Sequence, residues 1–326
     1  MTALFGKVIK KHSDFIYVKS NAGLFECKIR ERLKKEKIEI LVGDNVKIEE
    51  INTETFQAII TEVLERSNFI SRPAIANIDQ IIIVSSLFEP DFDFVQINRY
   101  LCLAKLSNIP AILCINKIDI NKNCALRTKI SSIYEPLYKI VFTSALEGSG
   151  LQDLKKHLSG KISVLAGMSG VGKTSLLKKL CPDLNLKTKD VSSKLKRGTH
   201  TTRHVELIEI KNKCFVADTP GFSYLKFDNI MPNKVNDLFD EIKTLSNECY
   251  FSDCLHLNEK NCNVINNLDK IDQKRYESYK IFVEEAFEYK KKITFSGNKK
   301  EEVTKFIDGP GRKKTKLIKL GKKNEK

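Results

Sequence analysis

The residues Gly167 to Ser175, GMSGVGKTS, have the types and spacing to hold a phosphate chain. They fit G-x-x-x-x-G-K-[ST], with Gly167, Gly172, Lys173 and Thr174 in register. An apolar run, Ile162–Ala166, leads in, and a helical pattern, Thr174–Leu180, leads out, which is the context such a loop requires. The glycines let the backbone curl, so that N–H groups along Ser169, Gly170, Val171 and Gly172, and on to Ser175, can face phosphate oxygens at a helix N-terminus. Lys173 is placed to reach the β- and γ-phosphates, and Thr174 to offer its hydroxyl to Mg²⁺.

A second constellation reads a base. Asn116-Lys117-Ile118-Asp119 ends an apolar strand in N-K-x-D. A carboxylate at Asp119 can accept from the guanine N1–H and exocyclic amine, and adenine would leave it unpaired. The next strand ends in Ser144-Ala145, where a backbone N–H can contact the guanine O6. Downstream of the phosphate loop, Asp218-Thr219-Pro220-Gly221 ends a further strand. Asp218 is expected to hold Mg²⁺ through water, and the Gly221 N–H to sense the γ-phosphate. Between the two lies Arg197–His204, a polar stretch placed where a switch threonine closes on the metal. Thr201 and Thr202 both qualify. Phe222 stands where a water-orienting glutamine is common, so slow intrinsic hydrolysis is expected. His200 is the first candidate for a substitute and His204 the second, against a reading of both as loop residues that contact RNA.

The order of these pieces is unusual. N-K-x-D and Ser-Ala precede the phosphate loop, whereas in ordinary GTPases they follow D-x-x-G. The same sheet cut at a different loop gives this order, so a circularly permuted P-loop GTPase domain is expected.

Near the C-terminus, Cys249, Cys254, His256 and Cys262 form C-x₄-C-x-H-x₅-C. Three thiolates and an imidazole complete a tetrahedral Zn²⁺ shell without a position for water, which predicts one structural ion.

The elements that must position these groups follow from periodicity. Before Pro73, short alternating runs at Leu4–Lys10, Phe15–Lys19, Leu24–Arg30, Asn45–Glu50 and Phe56–Leu64 predict an OB-type barrel, with Glu31–Lys37 as a helical or loop insertion. Phe15 and Tyr17 share one strand face, either as core or as a base-stacking surface. Arg66–Pro73 reads as a linker. Apolar strands at Ile78–Leu87, Ala111–Ile115, Lys139–Thr143, Lys161–Ala166, Val205–Ile210 and Cys214–Ala217 predict a largely parallel sheet, with a helix over Val95–Leu106. Leu268–Tyr289 reads as a helix with a core stripe of Tyr276, Tyr279, Phe282, Val283 and Phe287. The organisation expected is multidomain: a barrel over 1–70, a permuted α/β GTPase domain over 71–230, an α-helical zinc-binding module over 231–290, and a basic tail over 291–326.

The 326 residues are 41% hydrophobic with net charge +15, enough for real cores and pointing to an acidic partner such as nucleic acid. The nine cysteines are an odd number. With no secretory-type leader in the sequence, they favour reduced thiols in a cytoplasm over disulfides. From Lys290 the chain carries a net charge of about +10, read as a solvated tail or as an RNA-contacting arm.

Together the motifs GMSGVGKT, NKID, GTHTTRH at Gly198, DTPGF at Asp218 and the Cys/His spacing resemble the RsgA family of small ribosomal subunit biogenesis GTPases. The resemblance reaches to about Tyr289; the lysine-rich tail is less typical. It implies a monomeric, cytoplasmic, RNA-stimulated enzyme, bound to no membrane, that binds the immature small subunit and its rRNA and cycles between GTP and GDP. The rival expectation is a nucleotide-gated RNA-binding scaffold in which hydrolysis is incidental.

Overall fold

Period-two alternation turns every second residue of the N-terminal strands inward. In the computed structural model β1 (Leu4–His12), β2 (Phe15–Ser20), β3 (Gly23–Ile29), β4 (Asn45–Asn52) and β5 (Gln57–Val63) close into a barrel in the order β1-β2-β3-β5-β4. The structure describes residues 3–12, 15–71, 74–120, 124–182, 205–211, 214–218 and 230–295; of Ser71, Cys124, Lys211, Asp218, Thr294 and Phe295 only the backbone is described. Val8, Ile16, Val18, Phe25, Val46, Ile48 and Ile60 fill the barrel. The charged insertion supplies a short helix, α1 (Glu31–Lys35), whose Leu33 joins that core. Phe15 and Tyr17 alternate with Ile16 and Val18 and are half-buried, so they are not core, and the Tyr17 hydroxyl donates to Glu26 at 3.1 Å.

The stretch read as a linker is instead a built joint. β6 (Phe69–Ser71) pairs antiparallel with β7 (Ala74–Ala76). Arg66 grips both carboxylate oxygens of the fully buried Asp44, at 2.7 and 2.8 Å. Asn77 ties this hairpin to the barrel through the Gly43 carbonyl at 3.0 Å. Polar residues that look loop-like in sequence are here the hydrogen-bonding partners of buried backbone groups.

The central sheet holds β8 (Gln80–Ser86), β9 (Ala111–Asn116), β10 (Lys139–Phe142), β11 (Ile162–Ala166), β12 (Leu207–Lys211) and β13 (Cys214–Asp218), in the order β10-β9-β8-β11-β13-β12. Every neighbouring pair is parallel except β12 with β13. β8 is buried on both faces along its whole length, as a central parallel strand must be. Helices α2 (Phe94–Leu106), α3 (Cys124–Tyr134), α4 (Leu151–Leu158) and α5 (Lys173–Leu180) complete the described part of the domain. One face packs Ile81, Ile83, Leu113 and Val164 with Leu101 of α2 and Ile130 of α3; the other packs Ile82, Val84 and Leu165 with Leu154 of α4 and Leu176 of α5. The barrel meets this sheet at its antiparallel edge, where Lys10 pairs with Glu206 at 3.1 Å and Lys19 with Glu209 at 3.3 Å.

The C-terminal residues form α6 (Asp240–Ser246), α7 (Asn263–Asn266) and the long α8 (Gln273–Phe295). The expected stripe does face the core: Tyr279, Phe282 and Val283 are fully buried against Phe239 and Ile242, together with Cys102 of α2. Polar groups fix α8 on α2. Arg275, 1% exposed, bonds Glu241 at 2.7 and 3.1 Å and Asn98 at 2.9 Å. Burial alone would lower the Arg275 pKa, but the bonds to Glu241 outweigh it and hold the guanidinium charged. Asn98 also donates to Ser278 at 2.8 Å and accepts from Tyr134 at 3.0 Å. Arg99 makes two 2.6 Å bonds to Glu285 and stacks on Phe282. A buried, paired and hydrogen-bonded set of this kind tolerates little relative movement. Among the described residues no helix is long and apolar enough to cross a membrane.

Candidate nucleotide site and metal centre

The carboxyl ends of parallel strands are where such sheets bind ligands, and three loops converge there. β11 ends at Ala166 and α5 begins at Lys173, so Gly167–Gly172 span the turn between them. Gly167 (φ 138°), Gly170 (φ 85°) and Gly172 (φ 96°) all have positive φ. A Cβ at Gly167 would collide with the Val84 carbonyl, and one at Gly172 with the Asn116 amide. Glycine is therefore required at both ends of the turn. The Lys173 ammonium folds back over the loop, donating to the Gly167 and Met168 carbonyls at 2.8 Å each. Thr174 and Ser175 are exposed at the start of α5, where the helix dipole favours an anion.

Asn116 is the hub. It is 1% exposed at the end of β9. Its Nδ2 donates to the Val171 carbonyl of the phosphate loop at 2.9 Å. Its Oδ1 accepts from the Ala145 N–H at 3.1 Å and the Thr143 hydroxyl at 3.2 Å. One side chain thus ties the phosphate loop to both base-reading loops. The sequence placed Asn116 in the nucleotide site; in the structure its Oδ1 and one Nδ2 hydrogen are also engaged with the loops around that site. Asp119 is half-buried and accepts from the Ser144 hydroxyl. Ser144 also takes the Glu147 N–H at 3.0 Å, which shapes the turn holding Ala145. Lys117 has a left-handed backbone (φ 61°) and donates to the Glu89 carbonyl.

At the backbone level, Asp218 pairs with Leu165 in the strand beside β11, which brings its position next to the phosphate loop. His200, Thr201, Thr202, His204, Gly221 and Phe222 lie outside the described residues. The structure thus brings together Asn116, Lys117, Asp119, Ser144, Ala145 and the phosphate loop. What spacing could not disclose is the β8–α2 turn as a neighbour of Lys117, because Glu89 contributes only a carbonyl.

The metal centre gathers the four expected residues. The ligand atoms of Cys249, Cys254, His256 and Cys262 all lie within 4.8 Å of one another. Cys249 Sγ is 3.5 Å from His256 Nδ1 and 3.8 Å from Cys262 Sγ, and His256 Nδ1 is 3.4 Å from Cys262 Sγ. A tetrahedral zinc shell has S–S edges of about 3.8 Å and N–S edges of about 3.6 Å, so the donor set and the three edges among Cys249, His256 and Cys262 fit zinc. Burial pushes the Cys254 thiol up to about 12; a thiolate there needs a cation beside it. His256 reaches inward from a left-handed backbone, φ 57°. Tyr276 and Tyr279 of α8 donate to the His256 and Leu255 carbonyls at 2.8 and 2.9 Å. Burial acts to raise the Glu259 pKa, yet N–H bonds from Leu255, Leu257 and Asn258 prevail and hold it below the usual carboxylate range.

N-K-x-D, Ser-Ala and then a P-loop along the chain, on a sheet ordered β10-β9-β8-β11-β13-β12, define a circularly permuted P-loop GTPase. Comparison with known proteins narrows the class. The RsgA GTPase model matches residues 63–228 and the RsgA N-terminal domain model residues 5–59. The chain belongs to the RsgA GTPase family. A third model, described as a 50S ribosome-binding GTPase, matches residues 162–299, beginning at β11. The proteins named Small ribosomal subunit biogenesis GTPase RsgA from Alkaliphilus metalliredigens and Geobacillus sp. (strain WCH70) are 39% and 43% identical, over 84% and 87% of this chain and 94% and 98% of their own lengths. Among solved structures, YjeQ from Thermotoga maritima matches with TM-score 0.75 and 34% identity, over 88% of this chain and 99% of that one. YloQ, titled a circularly permuted GTPase, matches with TM-score 0.74 and 32% identity, over 88% and 96%.

Proposed function

We propose that this GTPase is stimulated by the small ribosomal subunit, binds it late in maturation, and hydrolyses GTP to GDP and phosphate to leave it. The observation that carries the reading is the three-part build: a network centred on Asn116 that sets up a guanine site, flanked by a barrel and a Cys₃His module. Relatives that span nearly the whole described chain carry the small-subunit name. The third model's description names the large subunit instead; it covers under half of this chain, so the relatives weigh more.

In this reading Asp119 accepts from the guanine edge, and the Ala145 turn faces the O6. Lys173 and the N–H groups of Ser169–Ser175 take the phosphates. Thr174 and Asp218 would hold Mg²⁺, with Thr201 or Thr202 and the Gly221 N–H closing on the γ-phosphate side and His200 orienting water. Zinc on Cys249, Cys254, His256 and Cys262 would supply folding rather than reactivity, since protein fills every position. The contacts of α8 on α2 argue that the GTPase domain and the metal module grip the particle as one body, and that hydrolysis weakens that shared surface rather than swinging the module. In this reading the protein works as a monomer in the cytoplasm, with rRNA as a contact of the barrel's outer face.

The test is GTP and ATP turnover with and without purified small subunits. Slow GTP turnover that rises steeply with subunits, and none with ATP, is expected; turnover indifferent to subunits would remove the ribosomal partner. Phe222, where a water-orienting glutamine is common, favours the scaffold as a second reading. Lys173→Ala that binds subunits but fails to release, with Gly221→Ala losing nucleotide-dependent affinity, supports the enzyme reading. Equal affinity for subunits in GTP and GDP refutes it.

A further inference from the structure

The metal module carries an aromatic pair that its own core does not use. Tyr250 and Phe251 sit between the ligands Cys249 and Cys254 and are 78% and 46% exposed. Their rings meet edge to face, centroids 4.9 Å apart at 85°. The turn beneath them is anchored: the Cys254 N–H returns to the Phe251 carbonyl at 3.3 Å, and the Cys249 N–H to Ser246 at 3.1 Å. Two large rings are thus held out to solvent on a short support fixed at both ends. Contiguous exposed apolar surface of this kind marks interaction sites.

Charge decides what such a pair can meet. The whole chain has net charge +15, yet from Leu245 to Glu259 it carries Glu248, Asp253 and Glu259 and no lysine or arginine. Glu248 and Asp253 flank the pair and are exposed. A nucleic-acid strand stacking here would bring phosphates against carboxylates, and this turn lacks the cations that single-strand grooves use. A guanidinium gains from both features, lying over a ring face while its N–H fork meets a carboxylate.

We propose that this turn docks an arginine-rich segment of a partner protein, with Tyr250 and Phe251 as the stacking platform and Glu248 and Asp253 as the flanking anions. It deepens the ribosomal reading, since on such a particle this face would meet a basic protein rather than the RNA. The interaction is nevertheless a property of the chain alone, so its failure leaves subunit-stimulated turnover untouched.

The experiment uses the full, zinc-loaded chain and a fluorescent peptide of alternating arginine and glycine, read by anisotropy beside a single-stranded oligouridylate. Tyr250→Ser with Phe251→Ser should weaken peptide binding about tenfold, and Glu248→Gln with Asp253→Asn should weaken it and flatten its salt dependence. Both double variants should keep one zinc per chain and leave oligouridylate binding unchanged. Peptide binding unaffected by the Tyr250/Phe251 variant overturns the proposal. Loss of oligouridylate binding instead would make this an RNA surface. Peptide binding that appears only after removal of residues 296–326 would assign the turn to the chain's own basic tail, and so also overturn it.

Discussion

Asn116→Ala separates a residue that touches the nucleotide from one that builds its site. The substitution orphans the Val171 carbonyl and the Ala145 N–H, bonded in the native protein at 2.9 and 3.1 Å and buried in the native fold. The Thr143 hydroxyl retains Cys114 Sγ at 3.4 Å and adds little. A buried polar group left unpaired costs about 1–3 kcal/mol, so two cost about 2–6 kcal/mol, and entry of a water brings this to about 3 kcal/mol. For a domain of this size each kcal/mol shifts the midpoint by about 2–4 °C, so a fall of about 6–12 °C is expected without nucleotide. Scanning calorimetry of the central transition measures it, and GDP titration should show weakened binding in parallel. Lost GDP affinity at an unchanged midpoint would refute the reasoning, because Asn116 would then act on the nucleotide itself.

Asp119→Asn should cost about 10²- to 10⁴-fold in GDP affinity through two charge-assisted bonds, with xanthosine diphosphate recovering part; equal loss for both nucleotides would argue for misfolding instead. Cys254→Ser, or exposure to a strong chelator, should remove about one zinc per chain and melt the module built on Phe239, Tyr279 and Phe282. Metal analysis with far-ultraviolet circular dichroism checks this, and an unchanged spectrum without zinc would contradict a structural role. Arg275→Ala should destabilise by about 3–5 kcal/mol by leaving Glu241 uncompensated, whereas Arg275→Met should cost far less. Equal costs in denaturant titrations would show that volume, not charge, holds α8 on α2.

Much of this molecule was legible in its sequence, for reasons that differ by element. The barrel strands declared themselves because one face of each is wet, so alternation survives in the residues. Residues 80–86 read as a strand because both faces are buried and Ile81–Val84 is an unbroken apolar, largely β-branched run. The phosphate loop and N-K-x-D were readable because glycine and carboxylate are required there by geometry and by base chemistry. Two helices of the GTPase domain went unread: α3, where the pattern is weak, and α4, whose Leu151, Leu154 and Leu158 fall in a short span after Gly150. Arg66–Pro73 reads as a linker because the order of the hairpin it enters depends on Asp44 and Asn77, which are distant or easily mistaken for turn residues. The role of Asn116 and the seat of α8 on α2 rest on contacts between segments far apart in the chain, to which a one-dimensional pattern is blind.

The position of β8 has a consequence for the order in which the protein is made. This strand sits mid-sheet, paired on one side with β9 and on the other with β11. Its β9 partner follows closely, but Ile81, Ile82 and Ile83 must wait for Val164, Leu165 and Ala166. At roughly 5–20 residues per second, a ribosome takes about 4–16 s to supply them. For that interval the emerging half-sheet has an apolar, unpaired edge, the kind that recruits other strands. The wait therefore falls at the centre of the sheet, where a folding helper would have the most to protect.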